Sequence, residues 1–147
     1  MRIKKLPVLR SFDFLVPFGA LVHGFGRVGC FLNGCCYGKV CDLPWAVSFP
    51  HLEHAVHPTQ LYESFYNFCL FLILFKRYER KHFDGEILGL YVVGYALGRF
   101  VIEFWRGDNP LWHSLTWNQW GSLFLAVVAV VFLMIGKARQ KRAKASS

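Results

Sequence analysis

Apolar residues fall in long blocks separated by short polar stretches, most of them basic. Four blocks stand out, at residues 12–32, 60–75, 86–105 and 120–135. A helix crossing a bilayer needs about 20 residues, and these blocks are apolar around their whole circumference rather than along one stripe, so they are not surface helices of a soluble protein. Pro17 and several glycines interrupt the first block, which is expected to be kinked or broken. The second block is short, which places its polar start at Thr59 and Gln60 at membrane depth. Trp112, Trp117 and Trp120 flank the fourth as an aromatic belt would. The pattern predicts an all-α fold, a polytopic integral membrane helix bundle of about four transmembrane segments. It forms one membrane domain over residues 1–147, with a basic cytoplasmic tail at 138–147.

Composition supports this reading: 54% of the residues are hydrophobic and 18% aromatic. The net charge of +8 suggests nucleic acid at first sight. Its distribution argues otherwise, because the basic residues form runs at the ends of the apolar blocks, as cytoplasmic loops facing anionic lipid do. Arg2, Lys4 and Lys5 precede block one. Lys76, Arg77, Arg80 and Lys81 lie between blocks two and three, and Lys137, Arg139, Lys141, Arg142 and Lys144 follow block four. An even number of spans puts all three runs on one side, and segments 33–59 and 107–117 then face outward. The first block carries Arg10 and Asp13 and lacks a small-residue cleavage site, so no cleaved signal peptide is expected.

Three constellations carry candidate chemistry. In the third block Tyr95, Arg99 and Glu103 recur every four residues and share one helical face, with Arg106 close to the same stripe. An ionisable group at membrane depth costs about 3 kcal/mol or more unless paired or wet. The stripe is therefore either a structural Arg99–Glu103 pair or the lining of a cavity for an anionic headgroup. Gly94 and Gly98 form a small-xxx-small pair that admits a close neighbouring helix. In the segment GRVGCFLNGCCYGK, Arg27 sits among glycines that allow close ligand approach. Its planar fork suits phosphate; the competing reading is an arginine snorkelling to the interface, with Asn33 and Gly38 shaping a turn. In HPTQLYE, Gln60 and Glu63 share a helical face with Asn67, and His57-Pro58 marks a helix start. Cys30, Cys35, Cys36 and Cys41 cluster ahead of His51, His54 and His57. Zinc and a disulfide both remain open for them, although C-x4-C-C-x4-C lacks the usual paired spacing of a zinc site. Cys69 is read as a small apolar filler.

Taken in order, these motifs resemble the prolipoprotein diacylglyceryl transferase family. Gly26, Arg27, Val28 and Gly29 match its Gly-Arg-x-Gly signature, which continues through Asn33, Gly34 and Gly38. HPTQLYE matches its His-Pro-Ser-Gln-Leu-Tyr-Glu stretch. Tyr95, Arg99, Glu103, Phe104 and Arg106, followed by Asp108, match its Tyr-x-x-x-Arg-x-x-x-Glu-Phe-x-Arg helix. The chain departs from the family at Cys30, commonly an asparagine, and at Cys35 and Cys36, commonly a Glu-Leu pair. Family members have about seven spans and this chain matches the last four, so it is expected to be a truncated gene product, a chain with a mis-called start, or a half that needs a separate N-terminal partner.

The resemblance implies a multi-pass transferase of the bacterial inner membrane. It would move the diacylglyceryl group of phosphatidylglycerol onto the lipobox cysteine thiol of a prolipoprotein, whose signal peptide is a partner. The implied catalytic residues are Arg27, Arg99, Tyr95 and Glu103. The implied substrate-binding residues are Arg27, Asn33, Gly38, His57, Gln60, Glu63 and Arg106. No metal, cofactor or nucleic acid is implied, and the chain's own cysteines are expected to be non-catalytic. The competing class is a non-catalytic or truncated membrane protein that binds anionic lipid. Reporter fusions at Lys81 and at Ser147 are both expected to report the cytoplasm, and an external signal from either breaks the four-span arrangement.

Overall fold

Four helices account for the four apolar blocks. The structure, a computed structural model, describes residues 8–106, 111–112 and 115–145. Helix α1 spans Val8–Leu32, α2 Thr59–Tyr78, α3 Glu86–Ile102 and α4 Trp117–Ala145. A single 3-10 turn, Glu103–Trp105, ends α3, and an antiparallel ribbon of β1 (Leu111–Trp112) and β2 (Leu115–Thr116) leads into α4. Three of the helices are long and apolar enough to cross a membrane, at Val8–Leu32, Glu86–Trp105 and Trp117–Ala143. The expected break in the first block is not seen: α1 is continuous through Pro17, which is buried. Continuity keeps the backbone groups hydrogen-bonded within the helix, the arrangement an apolar medium demands.

Helix α2, the second predicted span, is 20 residues long and built inside out. Gln60, Glu63, Ser64 and Asn67 are buried against the other helices, while Leu61, Phe65, Leu72, Ile73 and Phe75 point outward. In lipid the apolar side chains lose nothing by facing out, and the polar ones need partners inside. Helix α1 packs along α2, both contact α3, and α4 leans on α3. The predicted close approach at Gly94 and Gly98 is present. A Cβ at Gly98 would collide with the Tyr66 ring, one at Gly94 with Leu70, and the Tyr66 hydroxyl donates to the Gly94 carbonyl at 2.5 Å. Leu70, Leu74 and Ile87 form the buried apolar centre, with Val16, Tyr66 and Leu90 around it.

The ends of the bundle are chemically distinct. At one end Lys81 reaches Asp13 at the start of α1, and Gln140 near the end of α4 donates to the His82 carbonyl. The basic residues at 76–81 and 137–142 therefore share an end, as the charge pattern requires; the run of Arg2, Lys4 and Lys5 lies outside the described residues, as do Asp108 and the side chains of Trp112 and Lys144. Helix α4 continues to Ala145, so the described part of the basic tail is helical. At the other end the Trp105 carbonyl accepts from Lys39 N at 2.8 Å, and Thr116 bonds Glu103.

Asp13 ties α1 to α3. Its carboxylate is fully buried and accepts from Lys81 Nζ at 2.9 Å, Gly85 N at 2.8 Å and Leu88 N at 3.1 Å. The last two are amides of the first turn of α3, which otherwise lack intrahelical partners and carry the positive end of the helix dipole. Burial works against the Lys81 charge, but the carboxylates of Asp84 and Asp13 more than offset it, and the ammonium pKa lies above its ordinary value. That stabilisation is fully present below the unfolded lysine value, about 10.4, and is lost as pH climbs through the higher folded value. Asp13→Asn is expected to destabilise the fold by about 2 kcal/mol or more. Thermal unfolding in detergent should show a lower Tm, and an unchanged Tm would refute the capping role.

Candidate functional site

At the end opposite the basic runs, one carboxylate organises three arginines. Glu63 stands in the second turn of α2 and is buried. Its Oε2 lies 2.5 Å from Arg27 Nε, and its Oε1 lies 3.0 Å from Arg99 Nη1 and 3.5 Å from Arg106 Nη1. Arg27 comes from α1, Arg99 from α3 and Arg106 from the extended residue after the 3-10 turn. Arg99 Nη2 also lies 3.3 Å from Glu103 Oε2. The cluster holds three guanidiniums against two carboxylates. Such forks are built for planar, doubly hydrogen-bonded recognition of carboxylate or phosphate.

Neighbouring bonds hold the cluster in place. Glu103 is buried, and its Oε1 accepts from Thr116 Oγ1 at 2.9 Å and Asn118 Nδ2 at 3.1 Å. Thr116 and Gln119 form a reciprocal capping box at the start of α4: Gln119 N donates to Thr116 Oγ1 at 3.2 Å, and Thr116 N to Gln119 Oε1 at 2.9 Å. This box fixes the hydroxyl that holds Glu103. Below Arg106, the segment around Gly38 lies on Trp105 and His57 so closely that a Cβ at Gly38 would sit 2.5 Å from the Trp105 carbonyl. Gln60 Nε2 donates to the Cys35 carbonyl at 2.7 Å. Its Oε1 and the Oδ1 of Asn67 are buried acceptors with no hydrogen-bond partner among the described residues.

The structure thus brings together Arg27, Glu63, Arg99, Glu103 and Arg106. It places the other predicted residues around them. Tyr95, one turn deeper on α3, stacks on Tyr91 with ring centres 6.0 Å apart. Gly38 and Gln60 secure the loop after α1, and Asn33 is exposed in the turn that ends that helix. His57 meets Tyr62, with Nδ1 3.4 Å from its hydroxyl, beside Trp105 and Trp45. The pairing of Arg99 with Glu103 is real but partial, because Glu63 is shared by all three arginines. Arg106 joins the cluster through extended backbone, not through the helical stripe, since α3 has already ended.

Sequence reasoning passed over His23. It sits one turn before Arg27 on α1, and its ring lies 5.5 Å from that of Tyr95. The i, i+4 spacing to Arg27 was the signal. The five cysteines are free thiols. A hydrogen bond from Asn33 pulls the Cys35 thiol pKa down, whereas burial pushes that of Cys36 up.

The family model for prolipoprotein diacylglyceryl transferase matches residues 1–135. Among similar curated proteins is a phosphatidylglycerol–prolipoprotein diacylglyceryl transferase of Clostridium tetani, 40% identical over 146 residues, covering 94% of this chain and 58% of the relative. The second transferase of that name from Clostridium perfringens is 33% identical, covering 94% and 56%. A counterpart in Streptococcus uberis is 34% identical with the same coverage, 94% and 56%. The chain spans about half the length of the curated relatives it matches.

Removing the shared carboxylate leaves half-buried guanidiniums facing one another. Glu63→Ala is expected to destabilise the protein by about 3 kcal/mol or more. Arg106→Ala, which removes the longest contact, should cost clearly less. Equal Tm values for the parent and the Glu63 variant would show that the helices do not depend on this carboxylate.

Proposed function

Because the chain belongs to the prolipoprotein diacylglyceryl transferase family, we propose that it supplies the phosphate-facing half of an enzyme of lipoprotein maturation. That enzyme moves the diacylglyceryl group of phosphatidylglycerol onto the lipobox cysteine of a prolipoprotein, in the bacterial inner membrane. The prolipoprotein signal peptide and a separate N-terminal half are its partners. The observation that carries this reading is the meeting of Arg27 and Arg99, from different helices, on one buried carboxylate.

In the transfer, the sulfur of the substrate thiol attacks the glyceryl carbon, and the thiol proton ends on the departing phosphate. An S–C bond forms as the C–O bond to phosphate breaks, and the electron pair stays on the phosphate oxygen of the departing glycerol phosphate. The charge that develops there is met by guanidiniums already oriented by Glu63 and Glu103, so little reorganisation is needed in the transition state. Glu63 and Glu103 act as positioning residues. The open acceptors of Gln60 and Asn67 suit the hydroxyls of a glycerol headgroup. An apolar groove of about 470 Å³ between α2 and α3, lined by Leu61, Phe65, Leu97 and Val101, has the chemistry for an acyl chain. A second reading, a non-catalytic binder of anionic lipid, rests on the same arginine cluster.

Complementation of a transferase-depleted bacterium separates the two readings, with the chain given alone and with an upstream segment supplied. Growth restored by either form supports the enzyme, and failure of both supports the binder. In the active form, Arg27→Lys and Arg99→Lys should each weaken phosphatidylglycerol binding or turnover about tenfold or more, on the order of 1.4 kcal/mol. Lysine keeps the charge and loses the fork. Lys76→Ala, at the opposite end and exposed, should change little. Normal binding and turnover by both lysine variants would move the headgroup site elsewhere.

A further inference from the structure

A second cluster lies where α1 ends, and it uses none of the arginines. The chain leaves the helix through two left-handed positions, Gly34 at φ 67° and Cys36 at φ 64°. Gly34 N donates to Phe31 O at 3.0 Å and Cys35 N to Cys30 O at 3.1 Å, which closes the helix end and folds the Cys35–Cys36 pair back over the turn that carries Cys30. The three sulfurs all lie within 4.8 Å of one another. Helix α2 fixes the pair from the other side, because Thr59 Oγ1 donates to the Cys36 carbonyl at 3.1 Å and Gln60 Nε2 to the Cys35 carbonyl at 2.7 Å. Cys36 is exposed, so the cluster opens to solvent. A left-handed conformation at a residue other than glycine costs about 1 kcal/mol or more. Here it turns Cys36 toward its neighbours.

We propose that Cys30, Cys35 and Cys36 form a three-thiolate site for a soft cation, Zn2+ or Cu+. Metal–sulfur bonds of about 2.3 Å set sulfurs in a trigonal plane about 4 Å apart, which small side-chain rotations reach from the observed spacing. Thiolates favour these two ions over hard cations such as Mg2+ and Ca2+. The carbonyl end of α1 adds a favourable field for a cation. Each thiol releases its proton to solvent as the metal binds. The pairing is not legible in the linear spacing, because the helix-ending turn, and not a C-x2-C loop, brings the sulfurs together. The site uses none of the arginines of the lipid chemistry, although Gln60 touches both, and its test does not read activity.

The full chain, purified in detergent and reduced under anaerobic conditions, is titrated with Co2+ as the spectroscopic stand-in for Zn2+. In a parallel arm it is titrated with Cu+ against a chromophoric chelator. The expected result is one equivalent bound, with sulfur-to-cobalt charge-transfer absorption that Zn2+ abolishes, or one equivalent of Cu+ withheld from the chelator; the tighter arm names the ion. Cys30→Ser and Cys36→Ser should each lower affinity about tenfold or more, and Cys69→Ser should not. The proposal is overturned if the parent protein binds no thiolate-held metal in either arm. Undiminished binding by a triple serine variant with parental helix content would also overturn it, as would a disulfide consuming two of the three sulfurs in the anaerobically purified chain.

Discussion

A carboxylate inside an apolar bundle has to be neutralised where it stands, and in this protein that requirement falls on Glu63. No single neighbour on its own helix answers it. The partners arrive from α1, from α3 and from the chain beyond α3, so the demand of one charge fixes the relative placement of three helix ends. Glycines and small gaps let the helices approach, but approach alone leaves rotation about the helix axes open. The guanidinium contacts remove that freedom. Arginine suits the task better than lysine because one planar group can face two carboxylates at once, as Arg99 does with Glu63 and Glu103.

Much of this was legible in the chain. Ionisable residues inside apolar blocks announce themselves, and Arg27, Glu63, Arg99 and Glu103 were each conspicuous for that reason. The side shared by the basic runs followed from counting spans. Partner choice was not legible, because helical spacing ranks neighbours on one helix and is blind across helices. It offered Glu103 for Arg99, four residues away, and could not offer Glu63, thirty-six residues away. Arg106 was counted on a helical stripe that ends before reaching it. The Thr116-to-Gln119 capping box is legible from its residue types alone, although the apolar block behind it dominates the pattern. Pro17 was read as a kink or a break, yet α1 runs unbroken through it, because the alternative is unbonded backbone in lipid.

Membership of the family and the half-length match together recast the polar end of the bundle. The relatives supply about as much chain again, while the cluster here is assembled wholly from residues of this segment. Among the described residues, the contacts of the cluster join α1, α2, α3 and the start of α4.

The Asp13 cap has a mechanical consequence. Asp13 and Arg27 are separated by about 21 Å along α1 at 1.5 Å per residue. The first fastens α1 to the start of α3, and the second fastens it, through Glu63, to the far part of the same helix. Two struts pinned near both ends cannot slide past each other by one helical turn of about 5.4 Å without breaking a pin. They form a stiff frame. Arg106 stands outside this frame: its backbone has already left the helix, and its contact with Glu63 is the longest of the three.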